Sequence, residues 1–268
     1  MHAPVTTQAL EPELLLLAYR TGIFPMADRR DDPDIFWVEP RLRAILPLDG
    51  FHLSHSLARA LRRGRFAVTC NAAFSQVIEA CAMPRGDGEG SWISHRIQAS
   101  YERLHELGHA HSIECWEQAE DGTRVLVGGL YGVGFDRVFC GESMFSRRSD
   151  ASKVALAWLV AAMRRAGGSL LDCQFITEHL ASLGAVEISQ KRYLTLLKRA
   201  QSSSSAGRVA GAALGLAEGV GEGEAADAVG AGVLALPEGF AALLEEAASA
   251  GLSSSPGKLI AHVLTQTS

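Results

Sequence analysis

The stretch 151–174 constrains the fold most, because a long helix pattern leads directly into a strand pattern that contains two polar residues. Ala151–Ala166 predicts a helix, which closes near two arginines and a glycine, residues that commonly end helices. The following Leu170–Gln174 predicts a strand with Asp172 and Gln174 on one face at period two. Burying polar groups is costly unless they have a partner or a task. We therefore expect a strand whose polar face either has a function or is fully hydrogen-bonded.

Asp172 and Gln174 are candidate catalytic residues. Two residues along a strand span about 6–7 Å, so both side chains can reach one small group. The Asp172 carboxylate can accept a hydrogen bond from the Gln174 amide nitrogen and leave the amide oxygen facing a bound donor. The alternative is a structural Asp172 satisfied by backbone amides, and the spacing alone does not decide between the two. Another candidate is Glu142, in the run Phe139–Ser146, which we expect to be a loop.

The order of the predicted elements indicates an α+β fold. A first helix is expected from about Pro12 to just before Gly22, followed by short strands at 36–37 and 44–46, which together form a small N-terminal domain, residues 1–48. A larger domain, residues 49–200, alternates helix and strand. Its helices are expected at 71–81, 97–107 and 151–166, and its strands at 111–116, 125–133 and 170–174.

The last part of the chain, residues 201–268, differs in character from the rest. It is rich in Ser, Gly and Ala, a composition typical of flexible linkers. Only Phe240–Leu244 has the pattern of a short amphipathic helix. We expect a low-complexity, flexible tail without a catalytic role.

Charge and cysteine content narrow the class of protein. The five cysteines are odd in number and include no Cys-x-x-Cys pair, which favours reduced thiols in a cytoplasmic protein over a disulfide framework or zinc site. The apolar runs are shorter than the roughly 20 residues that a membrane span needs. A net charge of −5 argues against indiscriminate nucleic-acid binding, so any RNA contact must be local. The basic candidates are Arg59, Arg62, Arg63 and Arg65, whose alternative is a solvated helix end.

Several motifs resemble those of one family and occur in the same order. They are Ala18–Pro25, Ser91–Ile93, His105–Glu114, Gly128–Gly132, Phe139–Ser146, Asp172–Gln174 and Ser182–Ala185. From Leu14 to about Arg199 the chain resembles the leucyl/phenylalanyl-tRNA–protein transferase family. The resemblance implies transfer of Leu or Phe, and less readily Met, from aminoacyl-tRNA to the N-terminal amine of proteins beginning with Arg or Lys, which marks them for N-end rule degradation. It also implies a larger domain of acetyltransferase-like, GNAT-type fold, with no cofactor and no metal.

The same resemblance gives roles to individual residues. It implies catalysis by Asp172 and Gln174, with Asp172 near the terminal adenosine, and acceptor binding by Glu142. The implied aminoacyl pocket consists of Leu130, Phe139, Met144, Leu156, Leu159 and Leu171. The implied contacts of the tRNA 3′ end are Trp92, Tyr101 and Trp37, and those of the tRNA backbone are Arg59, Arg62, Arg63 and Arg65. Met26 departs from the pattern, because some relatives carry Trp there, so stacking on the terminal adenine must be weaker or supplied by Phe36 or Trp37.

Two other functions are open on the residues alone. The run His105–His109 matches the H-E-x-x-H pattern of zinc peptidases, but Gly108 should end the helix before the second histidine. A coenzyme-A-dependent N-acetyltransferase would share the implied fold, since fold does not fix function. The glycine-rich turn that such enzymes use for pyrophosphate has its nearest match at Arg164–Ser169, which follows a predicted helix rather than opening one.

Overall fold

The computed structural model describes residues 9–84, 90–212 and 234–266 of the 268-residue chain. Its helices are α1 (Pro12–Thr21), α2 (His55–Arg62), α3 (Phe74–Ala82), α4 (His95–Glu106), α5 (Ala151–Arg165), α6 (Glu178–Ser182), α7 (Gln190–Ala212), α8 (Leu236–Ser249) and α9 (Gly257–Thr265). Its strands are β1 (Phe24–Met26), β2 (Phe36–Val38), β3 (Leu42–Leu46), β4 (Ala67–Cys70), β5 (Ala110–Gln118), β6 (Arg124–Phe135), β7 (Val138–Ser146), β8 (Leu170–Gln174) and β9 (Val186–Ser189). The fold is therefore a mixed α+β fold, as predicted.

A large mixed sheet organises the molecule in the order β4-β5-β6-β7-β8-β3-β9. Its neighbouring strands are antiparallel except for β7 and β8, which run parallel. The parallel pairing joins Val138–Cys140 to Leu170–Asp172. Parallel neighbours require a crossover, and α5 supplies it by leading from the end of β7 to the start of β8. The predicted helix and strand at 151–174 are confirmed, but Phe139–Ser146 belongs to β7, so the prediction of a loop there was wrong.

Helix α5 is the centre of the core. Nearly all of its residues are buried, because β5 and β6 lie on one side and α8 lies on the other. A helix that is apolar on all sides is expected to be buried in this way. Gly128 of β6 permits the close approach, since a Cβ atom there would lie 2.5 Å from the Cβ of Ala151. Among the described residues, no helix is both long and apolar enough to cross a membrane.

The N-terminal segment is divided between two sheets. Helix α1 ends at Gly22, whose φ of 88° gives the left-handed cap expected from the sequence. Strands β1 and β2 then form a separate two-stranded sheet. The strand predicted at 44–46 does not belong with them, because β3 lies in the large sheet between β8 and β9. A domain boundary at residue 48 would therefore separate β3 from the other strands of its own sheet. The sequence could not show this, because a short apolar run predicts a strand but not the strands with which it pairs.

The tail is folded wherever the structure describes it beyond residue 201. Helices α8 and α9 pack on α5 and α2, and bury Leu236, Phe240, Leu243 and Ile260. Gly239 lies so close to α5 that a Cβ atom there would meet the Ala162 carbonyl oxygen at 2.4 Å. The prediction of a flexible tail is thus wrong for residues 234–266, because their few large apolar side chains suffice to close the core over α5. Residues 213–233 lie outside the described residues.

Candidate active site

A cavity of about 840 Å³ opens where β7 and β8 separate. The last paired residues are Cys140 and Asp172, and Glu142 and Gln174, two residues further along each strand, line the cavity. One side of the cavity is apolar and is formed by residues from β6, β7, α5 and β8, namely Leu130, Met144, Leu156, Leu159 and Leu171. The cavity therefore combines an apolar wall with Glu142 and Gln174 at the divergence of the parallel strands, and further polar side chains, among them Arg147 and His179, also line it.

Glu142 is buried in this wall, and its hydrogen bonds come from neutral donors. Its carboxylate accepts a bond of 3.0 Å from the Tyr101 hydroxyl and one of 2.8 Å from the Gln174 amide nitrogen. Tyr101 in turn makes a short hydrogen bond with the hydroxyl of Tyr19. No arginine or lysine among the described residues forms an ion pair with Glu142. Burial therefore raises the pKa of Glu142 to about 7, although the donated hydrogen bonds oppose the rise.

Asp172 has a different environment, although it is equally buried. Arg43 donates two hydrogen bonds to its carboxylate, at 2.8 and 2.5 Å, and the Tyr193 hydroxyl donates another at 2.9 Å. The guanidinium lies between the rings of Phe24 and Tyr193, 4.6 Å from each centroid. Asp172 is 0% exposed and joins β8 to β3 and α7. Asp172 is not among the residues that line the cavity, and its carboxylate is enclosed by an internal cation, so its catalytic role stays a prediction.

Gln174 connects the two carboxylates. Its backbone nitrogen donates a 2.8 Å hydrogen bond to Asp172, whereas its side-chain nitrogen bonds to Glu142. Its φ of 61° is unusual for a residue other than glycine, and such a conformation costs about 1–3 kcal/mol unless its surroundings fix it. The predicted bond between Asp172 and the Gln174 amide side chain is therefore wrong. Asp172 instead holds the backbone turn that directs Gln174 into the cavity.

The other residues predicted for the site divide into two groups. Trp92 lines the cavity, as does Met26, the residue that departs from the family pattern. Phe139 does not line it, because it lies in the core with its ring against Gly132. Tyr101 is fully buried and bonded to Glu142, so it presents no face on which a base can stack. Neither Phe139 nor Tyr101 lines the cavity, and their assigned roles stay predictions.

The remaining predicted RNA contacts lie elsewhere on the surface. Trp37 of β2 is 41% exposed and pairs with Pro25 of β1. The four arginines at the end of α2 and just beyond it, Arg59, Arg62, Arg63 and Arg65, are all exposed. Exposure is compatible with RNA contact but does not distinguish it from a solvated helix end.

The zinc-peptidase pattern is interrupted as expected. Helix α4 ends at Glu106, and Gly108 has a φ of 77°, so His109 lies beyond the helix that carries His105. His105 instead stacks on Phe74 with the ring centroids 4.3 Å apart. Among the described residues, no group of three or more His, Cys, Asp or Glu side chains is placed to hold a metal ion.

Sequence reasoning missed four buried residues that either bond to the networks of Glu142 and Asp172 or line the cavity. They are Tyr19, Arg43, Tyr131 and Tyr193. Arg43 had a signal, because an arginine within the apolar run 42–46 requires a buried anion, and Asp172 was the candidate. No comparable signal marked the tyrosines, because a tyrosine ring in the sequence is as compatible with a position in the core as with one in a functional site.

Comparison with known proteins gives consistent matches along the chain. A family model described as leucyl/phenylalanyl-tRNA protein transferase matches residues 45–198, and the model of its N-terminal domain matches residues 8–41. A protein of Novosphingobium aromaticivorans named leucyl/phenylalanyl-tRNA--protein transferase is 64% identical over 98% of this chain and 99% of its own length. One with the same name from Zymomonas mobilis is 57% identical over 74% of this chain and 72% of its own length. The structure of L-PGS from Bacillus licheniformis is 15% identical, covers 65% of this chain and 56% of that chain, and gives a TM-score of 0.32, so no argument rests on it.

Proposed function

This chain belongs to the leucyl/phenylalanyl-tRNA protein transferase family, and from that premise we propose that its acceptor is the N-terminal α-amine of proteins beginning with Arg or Lys. The chain is an aminoacyltransferase that moves Leu or Phe from tRNA to protein. Transfer to such N-termini would mark the proteins for N-end rule degradation, and it would take place in the cytoplasm, where aminoacyl-tRNA is present. We assign the larger domain to the acetyltransferase-like, GNAT-type class on the basis of the cavity between the diverging parallel strands β7 and β8.

The observation that carries this proposal is a buried carboxylate without an internal cation. Glu142 lies in the wall of the cavity and receives its hydrogen bonds from neutral groups. A positively charged side chain entering the cavity would meet an anion with little solvent to screen it, which strengthens their attraction. The apolar wall opposite suits an uncharged aminoacyl group. An acceptor that begins with Arg or Lys and a donor that carries Leu or Phe satisfy both walls together.

The aminoacyl group is assigned to the apolar wall. Leu130, Met144, Leu156, Leu159 and Leu171 offer a surface without hydrogen-bonding side chains. The flexible thioether of Met144 can adapt to branched Leu and flat Phe. A pocket of this kind separates related side chains by about 1–3 kcal/mol per methylene, so weak use of Met is expected.

The chemical step requires positioning more than strong base catalysis. The aminoacyl ester of tRNA is already activated, and an N-terminal α-amine with a pKa near ~8 is partly neutral at pH 7. Because the Gln174 nitrogen is bonded to Glu142, the amide oxygen is the group that Gln174 can offer to the attacking amine. The amine nitrogen forms a bond to the carbonyl carbon, the ester bond to the ribose oxygen breaks, and the proton of the amine passes to that oxygen. Asp172 is a positioning residue in this scheme.

The donor RNA is assigned to the cavity mouth and the exposed basic surface. Trp92 offers a ring for the terminal adenine, with Met26 beside the same cavity and Trp37 as a further aromatic candidate. The arginines at the end of α2 are candidates for phosphate contacts, which are sequence-independent and sensitive to salt. Replacing the pair Arg62 and Arg63 by Ala should therefore raise the KM for tRNA and reduce its salt dependence.

The direct test is transfer of a labelled aminoacyl group. The purified protein should transfer radiolabelled Leu from Leu-tRNA to a peptide beginning with Arg, but much less to the same peptide beginning with citrulline, which has the same shape and no charge. Equal labelling of the two peptides would contradict the proposed acceptor class. Labelling from acetyl-CoA in place of Leu-tRNA would instead support a coenzyme-A-dependent enzyme.

A further inference from the structure

Tyr131 is a buried phenol without a hydrogen-bond partner. Its side chain is 0% exposed, and its hydroxyl has no partner among the described residues. An unpaired buried polar group is destabilising, so native proteins rarely keep one without a reason. Tyr131 also lines the cavity of the candidate active site. The position of this hydroxyl therefore suggests that a ligand bound in the cavity forms a hydrogen bond with it.

The ring of Tyr131 has little freedom to turn the hydroxyl elsewhere. It packs edge-to-face against Tyr101, with centroids 5.5 Å apart, and against Phe74, with centroids 5.8 Å apart. Tyr101 is the phenol that bonds to Glu142. Of these two adjacent tyrosines, Tyr101 bonds through its hydroxyl to Glu142 and Tyr19, whereas Tyr131 lines the cavity and its hydroxyl has no partner among the described residues.

The negative charge of Glu142 favours a positively charged ligand group next to the Tyr131 hydroxyl. Burial raises the pKa of Tyr131 well above its ordinary value, so the hydroxyl stays protonated and neutral. A neutral phenol oxygen can accept a hydrogen bond from an ammonium or guanidinium group. A cation held by the neighbouring carboxylate brings such donors to the same end of the cavity.

We infer that Tyr131 is a specificity-determining residue, whose hydroxyl accepts a hydrogen bond from the charged end of the basic N-terminal residue of the acceptor while Glu142 supplies the opposite charge. The inference rests on the proposed acceptor class and adds a second contact to it. A guanidinium carries several donors in a fixed plane and can reach both groups at once, whereas an ammonium has three donors on a flexible stem.

The variant Tyr131→Phe tests the inference with little change in shape. It should raise the KM for Arg- and Lys-initiated peptides about tenfold or more, the loss expected when a hydrogen bond to a charged group is removed, and leave the KM for Leu-tRNA unchanged. Since no hydrogen bond is lost in the free protein, its melting temperature should not fall. Tyr101→Phe is the matched comparison, because it removes a hydroxyl that already bonds to Glu142 and Tyr19, and it should lower the melting temperature by roughly 2–4 °C or more.

Four results would overturn the inference. An unchanged acceptor KM in Tyr131→Phe would show that the hydroxyl does not contact the acceptor, and a raised KM for Leu-tRNA would place it on the donor side. A fall in melting temperature equal to that of Tyr101→Phe would show that the hydroxyl has a structural partner. If the wild-type protein itself fails to prefer the Arg peptide over the citrulline peptide, the proposed acceptor class fails and this inference fails with it.

Discussion

Glu142 and Asp172 are buried carboxylates on neighbouring strands of one sheet, and they differ in the charge of their partners. Asp172 is enclosed by Arg43, Tyr193 and a backbone amide, and it is 0% exposed. Glu142 has neutral partners and lies in a cavity wall. A buried ion pair stabilises the native arrangement only as a pair, whereas an unpaired carboxylate keeps its charge available for a ligand. The comparison teaches that two buried carboxylates on neighbouring strands can differ in the charge of their nearest donors, and this difference underlies the separate roles proposed for them.

Gln174 makes the two environments dependent on each other. Asp172 fixes its backbone, and Glu142 accepts from its side chain. Replacing either carboxylate should therefore affect the cavity. A change at Asp172 should mainly reduce the stability of the fold, whereas a change at Glu142 should mainly weaken ligand binding. Four experiments can separate these effects.

The largest effect is expected for Asp172→Ala. The change leaves the Arg43 guanidinium buried without its anion, and breaking a buried pair in this way costs roughly 3–5 kcal/mol of unfolding free energy. Denaturant unfolding measures the loss. The double variant Arg43→Met with Asp172→Leu should recover much of it, since apolar replacement removes both charges. Wild-type stability in Asp172→Ala would contradict the structural role.

Glu142→Gln should act on the acceptor. The carboxamide keeps the size of the side chain but not its charge, so use of Arg- and Lys-initiated peptides should fall tenfold or more, equivalent to about 1.4 kcal/mol. Hydrolysis and binding of Leu-tRNA should barely change. Steady-state kinetics with each substrate varied in turn distinguishes the two. If donor binding falls together with acceptor use, Glu142 serves the donor side or the structure of β7.

The pH dependence of acceptor binding should follow the ionisation of Glu142. With a pKa of about 7, the carboxylate is charged above this pH and becomes neutral below it, so the acceptor KM should rise as the pH falls. For a group titrating there, the change between pH 7.5 and 6.5 is about threefold. The α-amine gains a proton over the same range, so Glu142→Gln is the control that isolates the carboxylate. Equal slopes in the two proteins would assign the whole effect to the amine.

The smallest effects are expected when the hydroxyl of Tyr101 or of Tyr193 is removed. Tyr101 lowers the pKa of Glu142 by donating to it, so Tyr101→Phe should move the midpoint of the pH profile upward. Tyr193→Phe removes the hydroxyl that donates a hydrogen bond to Asp172. It should reduce the free energy of unfolding by about 1 kcal/mol without moving that midpoint. A midpoint shifted equally by both variants would mean that the hydrogen-bond networks around the two carboxylates are not independent.

The fold was predictable wherever local pattern and packing agree. The apolar length of α5, the glycine that ends α1 and the break at Gly108 were all found from the sequence, because helix length and termination depend on nearby residues. The tail was misjudged because its many small residues masked the few large ones in α8 and α9. Burial of those few side chains depends on α5 being present, which composition does not express.

The sequence by itself determined the family and the reaction, because several motifs, among them Phe139–Ser146 and Asp172–Gln174, occur in the family's order. Only the tertiary structure decided which partners each polar residue has. Arg43 lies 129 residues before Asp172 in the sequence, and the adjacency of β3 and β8 is what makes them an ion pair. That pairing removes Asp172 from the cavity, and the separation of β7 from β8 leaves Glu142 in it. Which residues far apart in the sequence become ion-pair partners depends on how whole strands pack, and the spacing of neighbouring residues does not show this.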